Sequence, residues 1–505
     1  MAVIAALVIA GYASFLSTGL LGYDTYPTIL TAKIGSMQDF FGTFSEQLMD
    51  GRFRPGGVFW RPLTNLTFAA DYARGGLDPT TYHQTDLAVL IGCGWACFAC
   101  TRRIAGRGGL LAAAFAGILF VIHPVHVEVF PVPARRADMM AIGLVMACLA
   151  AQPKCGERIA RLRWFGLFAL SLLAMGAKET GTLVLPLVIC LHGLDWFAGR
   201  FIKAEAQARL VGVLRACAPT LLAFIVYAVG RTAALGGLGG HPDSSLLDIV
   251  GMFSLVEPYA DWLLMPERFQ TAWGKLQILL ALLTGTALGG SFRPRAWRGT
   301  KTDGACLKSP TRAFAFVLLF LLGLLAVHST AGGRVEPWYA AVFCGPYAIG
   351  LGLLFGAGVD HLRARAVVGG AWLVLLPLGL AAHHFVWSPL MHDYPTWQRA
   401  TVAMEDFLER FDTRLNAAKL GEPILLDQLP LTMPPPTTGP GVRSAVMLNT
   451  YTLEAYAELT RPDVKIHVHS LIGGPPPHLL PADEIGVWVT PGRAPGAAPQ
   501  QGAGR

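Results

Sequence analysis

The chain has 505 residues, 53% of them hydrophobic and 14% charged, with a formal net charge of +7. Its mean hydropathy of +0.47, concentrated in long apolar runs, excludes an ordinary soluble globular protein and a disordered one. The basic balance does not point to nucleic acid, because most Lys and Arg fall in short loops between the apolar runs, where such charges set orientation in a bilayer.

In chain order, apolar runs fall near residues 2–21, 84–101, 109–122, 137–152, 164–177, 181–196, 213–235, 272–291, 313–329, 339–358 and 366–387. A hydrocarbon core takes roughly 20 helical residues to cross, so these runs predict a polytopic α-helical membrane protein with about eleven transmembrane helices. The run at 2–21 lacks a basic flank and a small-residue cleavage site, and reads as the first span, not a leader. Basic clusters at Arg102, Arg103 and Arg107, at Arg158, Arg161 and Arg163, at Arg200, Lys203 and Arg209, at Arg293 to Lys308, and at Arg363 and Arg365 mark the cytoplasmic loops. With the N-terminus on that side, an odd number of spans puts the loop 22–83 and everything beyond 388 outside. The stretch 244–266 carries Asp248, Glu257 and Asp261, and reads as an amphipathic or re-entrant helix on the outer surface.

Three regions follow from this map: a transmembrane domain at 1–387, a small extracytoplasmic α/β domain at 388–490, and a disordered Pro/Gly/Ala/Gln tail at 491–505. Within the outer loop, MQDFFGTFSEQLMDG at 37–51 has the pattern of an amphipathic helix lying at the interface. In the C-terminal domain, 395–419 reads as helix, while ILLDQL at 424–429, KIHVHSL at 465–471 and IGVWVTP at 485–491 read as strands. All nine cysteines fall in predicted spans or cytoplasmic loops, so no disulfide is expected outside. The group Cys93, Cys97 and Cys100 reads as one small-residue helix face.

Candidate chemistry gathers at the outer ends of the spans. Asp24, in GYDTYPTIL, stands where the first span emerges, and a partly shielded carboxylate there is placed to act as a base on an acceptor hydroxyl. It reads equally as a helix-end Asp in water. Arg61, in VFWRPLTNLTF, offers a fork of donors suited to a phosphate, or a partner for Asp71 or Asp78. HPVHVEVFPVPARRAD at 123–138 packs His123, His126, Glu128, Arg135, Arg136 and Asp138 between two apolar runs, where ionisable residues are costly. The two His and Glu128 are weighed as a zinc site, but Pro124 breaks helical spacing and no Cys joins them, so a structural role is favoured and a divalent metal is not supported. Glu128 and Asp138 are also candidates for plain ion pairs with Arg135 and Arg136. Asn65 heads an NLT glycosylation pattern.

Together, YDTYPTI, FWRPLTNLTFAADYARGGLDPTTYH, HPVHVEVFPVPARRADMMA and AKETGTLVLPLVI resemble, in order and spacing, the membrane half of the transmembrane and tetratricopeptide-repeat-containing O-mannosyltransferases. These belong to the GT-C superfamily, with the dolichyl-phosphate-mannose protein mannosyltransferases. The resemblance covers residues 20–195 well and 213–360 weakly. It implies a GT-C-like membrane glycosyltransferase, inverting, that moves a hexose such as mannose from a polyprenyl-phosphate donor to an extracytoplasmic protein, glycan or lipid hydroxyl. Asp24 matches one position of the family's acidic pair, whose neighbour here is Tyr23 or Thr25. Arg61 matches an Arg-Pro-Leu step, and His123, His126 and Glu128 match His-Pro-x-His-x-Glu. Arg136 and Asp138 match Arg-Ala-Asp, and Lys178 and Glu179 match Lys-Glu. The resemblance thus implies Asp24 as base, Arg61, Arg136, Lys178 and Arg334 as donor-phosphate ligands, and His123, His126, Glu128, Asp138 and Glu179 in support. It departs at the C-terminus, where the family's repeats are absent. That shorter architecture is more like bacterial relatives, with the active site and C-terminal domain on the periplasmic side of the inner membrane. A catalytically inactive homologue in envelope glycan assembly and a lipid-linked-sugar transporter remain the alternatives.

Overall fold

The computed structural model describes residues 1–53, 58–105, 109–153, 157, 159–199, 203–237, 239, 249–264, 310–330, 336–363, 389–419, 423–433, 445–463, 465–470 and 484–491. The predicted runs at 272–291 and 366–387, Arg334, Cys155, Cys306 and the tail beyond Pro491 lie outside these residues. Every other predicted run is helical. α1 (Ala2–Tyr12) continues as a 3-10 turn to Ser17, and the 22–83 loop forms α2 (Thr25–Ala32), α3 (Met37–Ser45) and α4 (Pro62–Gly75). The bundle then runs through α5 (Pro79–Ala105), α6 (Leu110–Ile122), α7 (Arg136–Ala151), α8 (Arg161–Ala177), α9 (Val184–Gly199) and α10 (Lys203–Leu235). Two short helices follow, α11 (Ile249–Ser254) and α12 (Val256–Leu264), before α13 (Pro310–Thr330) and α14 (Pro337–Arg363).

Among the described residues, five helical segments are long and apolar enough to cross a bilayer: Pro79–Ala105, Leu110–Glu128, Leu210–Leu235, Arg312–Thr330 and Trp338–Gly356. The protein is therefore a polytopic helical membrane protein. Ala2–Ser17 and Glu179–Leu194 are shorter apolar helices, and α7 and α8, of 16 and 17 residues, pack between the longer ones. Large apolar side chains such as Ile9, Leu111, Phe165, Ile225 and Leu318 face outward from these helices, as a hydrocarbon environment requires and water does not. α11 and α12 are too short to cross. Instead Tyr259 of α12 stacks on Phe343 of α14 at 4.4 Å, so this stretch is covered by protein, the condition for non-spanning backbone.

Small residues let the helices approach closely. Cys93 Sγ donates to the Met139 carbonyl at 3.0 Å, and Gly143 of α7 lies directly against Cys93. The seven described cysteines are free thiols, and the Cys93, Cys97 and Cys100 face is packing surface, buried throughout.

The two ends of the bundle differ in charge. At the C-terminal end of α7, Arg103 and Arg163 both donate to the Gln152 carbonyl, at 2.6 and 2.7 Å, where arginines complement the helix dipole. At its N-terminal end, Arg136 and Asp138 meet residues from α4, α5 and the turn after α8. A helix of 16 residues separates these ends by about 24 Å.

Beyond the bundle, α15 (Pro389–Ala417) leads to β1 (Ile424–Leu429), the short antiparallel pair β2 (Thr432–Met433) and β3 (Ala445–Val446), α16 (Thr450–Thr460), β4 (Lys465–Ser470) and β5 (Glu484–Pro491). β1, β5 and β4 form an all-parallel sheet in the order β1-β5-β4. Val487 of the central strand pairs with Ile424 on one side and Val468 on the other. Residues Ile485 to Val489 are all buried, the continuous apolar run of a strand covered on both faces. α15 packs on β1 and α16 on β4, with Phe407 and Phe411 in the core. The three strands match the sequence expectation closely. α16 and the β2–β3 pair were not anticipated, although Asn449 and Thr452 form a reciprocal capping box at the start of α16.

Candidate active site

The site is assembled at the N-terminal end of α7, where six segments distant in sequence converge. Asp24 caps the start of α2, two residues after Gly22, whose φ of +97° and contact with Val132 admit no side chain. Arg61 caps α4, placed by the Pro62 that opens the helix. Lys178 and Glu179 form the turn between α8 and α9. There a Cβ on Gly181 would lie 1.9 Å from the Ala174 carbonyl oxygen, so only glycine permits this turn.

Glu179 is the hub of one cluster. Arg61 donates to its Oε2 through Nε at 3.1 Å and Nη2 at 2.8 Å, and Arg231, at the end of α10, donates to its Oε1 at 3.1 Å. Next to it, Lys178 Nζ donates to Asp138 Oδ1 at 2.5 Å and lies 4.8 Å from the Tyr339 ring centroid. Arg135 donates to the Glu128 carbonyl and lies flat on Trp338, 3.8 Å from its ring centroid. Asp24 shares this neighbourhood. Burial pushes its carboxyl above the ordinary value, while a hydrogen bond from Tyr451 and the positive charges of Arg61, Arg135 and Lys178 pull it back. Tyr451 Oη donates to Asp24 Oδ1 at 2.7 Å. Oδ2 receives no hydrogen bond from the described residues.

Arg136 departs from the expected arrangement. Its side chain is 1% exposed and bonded to Asp71 Oδ2 at 2.5 Å, Asp86 Oδ1 at 2.8 Å and the Tyr82 carbonyl at 3.0 Å, with the Phe68 ring 4.6 Å away. Each of its three guanidinium nitrogens donates a hydrogen bond, and it lies apart from the Lys178–Asp138 pair. By contrast the Arg61 and Lys178 side chains are 14% and 12% exposed. Arg61 Nη1 makes no hydrogen bond to the described residues, and Lys178 uses one of an ammonium's three donors on Asp138. Asp138 pairs with Lys178, not with Arg136. Arg61 pairs with Glu179, not with Asp71 or Asp78. Arg334 lies outside the described residues.

The two histidines sit in the core. His123 Nε2 is 3.1 Å from the Leu263 carbonyl while its Nδ1 accepts from Val125 N, and His126 Nε2 is 2.7 Å from the Phe120 carbonyl. These contacts bind the 123–135 segment to α6 and α12. Among the described residues no group of three or more His, Cys, Asp or Glu is placed to hold a metal. Asn65 is buried within α4, so the NLT pattern is closed to modification in the folded protein. Sequence reasoning missed Asp86, Tyr339 and Tyr451. The first two lie within the predicted runs 84–101 and 339–358 but show their contacts only between helices.

No family model matches the chain. It is similar to protein O-mannosyl-transferase Tmtc1 of Drosophila melanogaster, 31% identical over 135 residues, which cover 26% of this chain and 15% of that protein. It is also similar to TMTC2 of Homo sapiens, 30% identical over 131 residues, covering 25% and 15%. Tmtc3 of Drosophila melanogaster is 28% identical over 217 residues, covering 35% of this chain and 23% of its own length. The chain thus spans less than a quarter of the length of these relatives. Among solved structures, ArnT from Cupriavidus metallidurans bound to undecaprenyl phosphate aligns over 83% of this chain and 72% of its own, at 16% identity. Its TM-score is 0.39.

Proposed function

We propose that the protein is a GT-C-like membrane glycosyltransferase that transfers a sugar from a polyprenyl-phosphate donor to a hydroxyl acceptor on the extracytoplasmic side. The observation that carries this reading is the gathering, at the end of the bundle opposite Arg103 and Arg163, of Asp24 beside Arg61 and Lys178, with one Asp24 oxygen and donors of both cations unused among the described residues. The relatives named as O-mannosyl-transferases support the same class of chemistry.

In this reading the acceptor hydroxyl attacks the anomeric carbon of the donor. The bond from that carbon to the phosphate oxygen breaks as the new glycosidic bond forms on the opposite face, with inversion. The hydroxyl proton passes to Asp24, and the departing polyprenyl phosphate keeps the electron pair and is held by Arg61 and Lys178. Cations in a site partly shielded from water stabilise that charge several-fold better than they would in bulk. Glu179 and Asp138 orient the two cations, and Arg135, packed on Trp338, adds positive charge near Asp24. Arg136 stands behind the site as a scaffold joining α4, α5 and α7. The basic end of the bundle faces the cytoplasm by the positive-inside rule, and in a bacterial cell this site and the C-terminal unit face the periplasm.

Mass analysis of exported glycoproteins and glycolipids, in cells with the gene, without it, and complemented by Asp24→Asn, tests this function. A hexose-bearing species present only with the wild-type gene is expected. Identical profiles in all three strains would rule the reading out.

A further inference from the structure

We infer that the C-terminal α/β unit completes the active site, with Tyr451 of α16 acting as the positioning residue that fixes the orientation and protonation of Asp24. This inference rests on the reading of Asp24 as the base, and it concerns a residue 427 positions away in sequence.

The C-terminal unit is fitted around the Asp24 turn by contacts on successive residues. Gly19 N donates to Thr401 Oγ1 at 3.0 Å, Gly22 N to the Met447 carbonyl at 3.1 Å, and Thr452 Oγ1 to the Tyr23 carbonyl at 2.7 Å. Tyr23 Oη donates to the Leu431 carbonyl at 3.3 Å, and Tyr26 meets Tyr456 edge to face at 5.2 Å. At the rim, Arg52 bonds Glu458 through both guanidinium nitrogens, at 3.0 and 2.6 Å. These contacts hold both the backbone before Asp24 and the start of α16, so the Tyr451 hydroxyl meets Oδ1 in a fixed geometry. A carboxylate with one oxygen occupied by a donor has its plane set. Oδ2 is then left to receive a proton.

The groups facing Asp24 come from every element around it: Tyr451 from α16, Tyr23 beside it, Arg61 from the start of α4, Arg135 from the turn before α7 and Lys178 from the turn after α8. Of these, Tyr451 donates the hydrogen bond. Burial and the neighbouring carboxylate push the Tyr451 phenol above its ordinary value, so it stays a donor across the working pH range. A donor to the carboxylate favours the charged form, so losing it raises the pH at which Asp24 takes up a proton.

The experiment compares wild type, Tyr451→Phe, Arg52→Ala and Asp24→Asn as full-length proteins in detergent. It records the infrared carboxyl band that Asp24→Asn abolishes, as a function of pH, together with the pH profile of transfer. Tyr451→Phe is expected to move both the Asp24 titration and the acidic limb of kcat upward by about one pH unit, the order of one charge-assisted hydrogen bond, with KM for the lipid donor little changed. Arg52→Ala weakens the rim contact and should leave the titration in place. An unmoved Asp24 band in folded Tyr451→Phe overturns the inference. So does an equal shift in Arg52→Ala, which would assign the effect to loosened docking. If the band shifts in Tyr451→Phe while wild type transfers no sugar from any polyprenyl-phosphate donor, the coupling stands and the glycosyltransferase reading falls.

Discussion

At the scale of single residues, exposure and unused hydrogen-bonding capacity separate the groups proposed to face substrate from those that hold the fold. Asp24→Asn keeps the shape and the Tyr451 contact but removes the base, so turnover should fall by about 10² or more while donor binding persists, as titration with a fluorescent polyprenyl-phosphate sugar would report. Burial raises the Asp24 carboxyl, and the base works only when ionised. The acidic limb of kcat/KM should therefore lie above the ordinary Asp value of about 3.9, with activity rising as pH rises through it. A limb at or below that value would show that another group titrates. Lys178→Ala should lower kcat by about 10² to 10³ in a protein that still folds, the usual cost of one pre-organised donor. Arg136→Ala should behave differently. It leaves Asp71 and Asp86 buried against an empty place, a loss of about 3–5 kcal/mol, seen as a lower melting temperature or lost folded protein in detergent. A stable, folded but inactive Arg136→Ala would return Arg136 to the phosphate site. Asp24 and Lys178 stand out as candidates in the sequence because each lies at the end of an apolar run, where charge is expensive, and Arg61 because it sits beside aromatics in the 22–83 loop. The same reasoning grouped Arg136 with them, since sequence position does not show that Asp71 and Asp86 hold its guanidinium.

At the scale of elements, the apolar runs gave the helices because length and hydropathy alone decide what crosses a bilayer, and the strands of the C-terminal sheet because runs such as IGVWVTP are too short and β-branched for anything else. α16 escaped notice because its Ala, Tyr and Leu pattern is weak, and its partner surface, the Asp24 turn, lies at the other end of the chain. The 3-10 turns at 124–128 and 133–135 also needed the structure, for Pro124 and Pro133 predict a break without predicting its shape. The alternation of α5 to α10 carries a topological prediction. A cysteine placed at exposed Ser36 or Thr460 should react with an impermeant maleimide from outside intact cells, whereas one at exposed Arg102 should react only after permeabilisation. Labelling of all three from the same side would break the assignment of the two ends. α3 adds a smaller test. Ser36 accepts from Asp39 N and Asp39 accepts from Ser36 N in a capping box, so Ser36→Ala should cost about 1 kcal/mol of local stability, read as faster amide exchange in residues 37–45 only.

At the scale of the whole molecule, a bundle with one basic end and one end rich in paired charges supports a small parallel sheet that closes over the Asp24 turn. The four motifs from residues 23 to 189 carried the likeness to the O-mannosyl-transferases, and direct comparison finds the same relatives. The docking of the C-terminal unit on Asp24 has no signature in those motifs, because it depends on contacts between residues about 400 positions apart. The proposed reaction breaks the bond between a sugar and a polyprenyl phosphate at Asp24 and needs no second membrane compartment. The most direct measurement is release of polyprenyl phosphate from a panel of polyprenyl-phosphate hexoses by the purified protein in nanodiscs, given a mixture of hydroxyl acceptors. Acceptor-dependent release by wild type and at least about 10²-fold slower release by Asp24→Asn are expected. No release from any donor, together with solute movement across sealed vesicles containing the protein, would contradict the proposed reaction and make the protein a transporter.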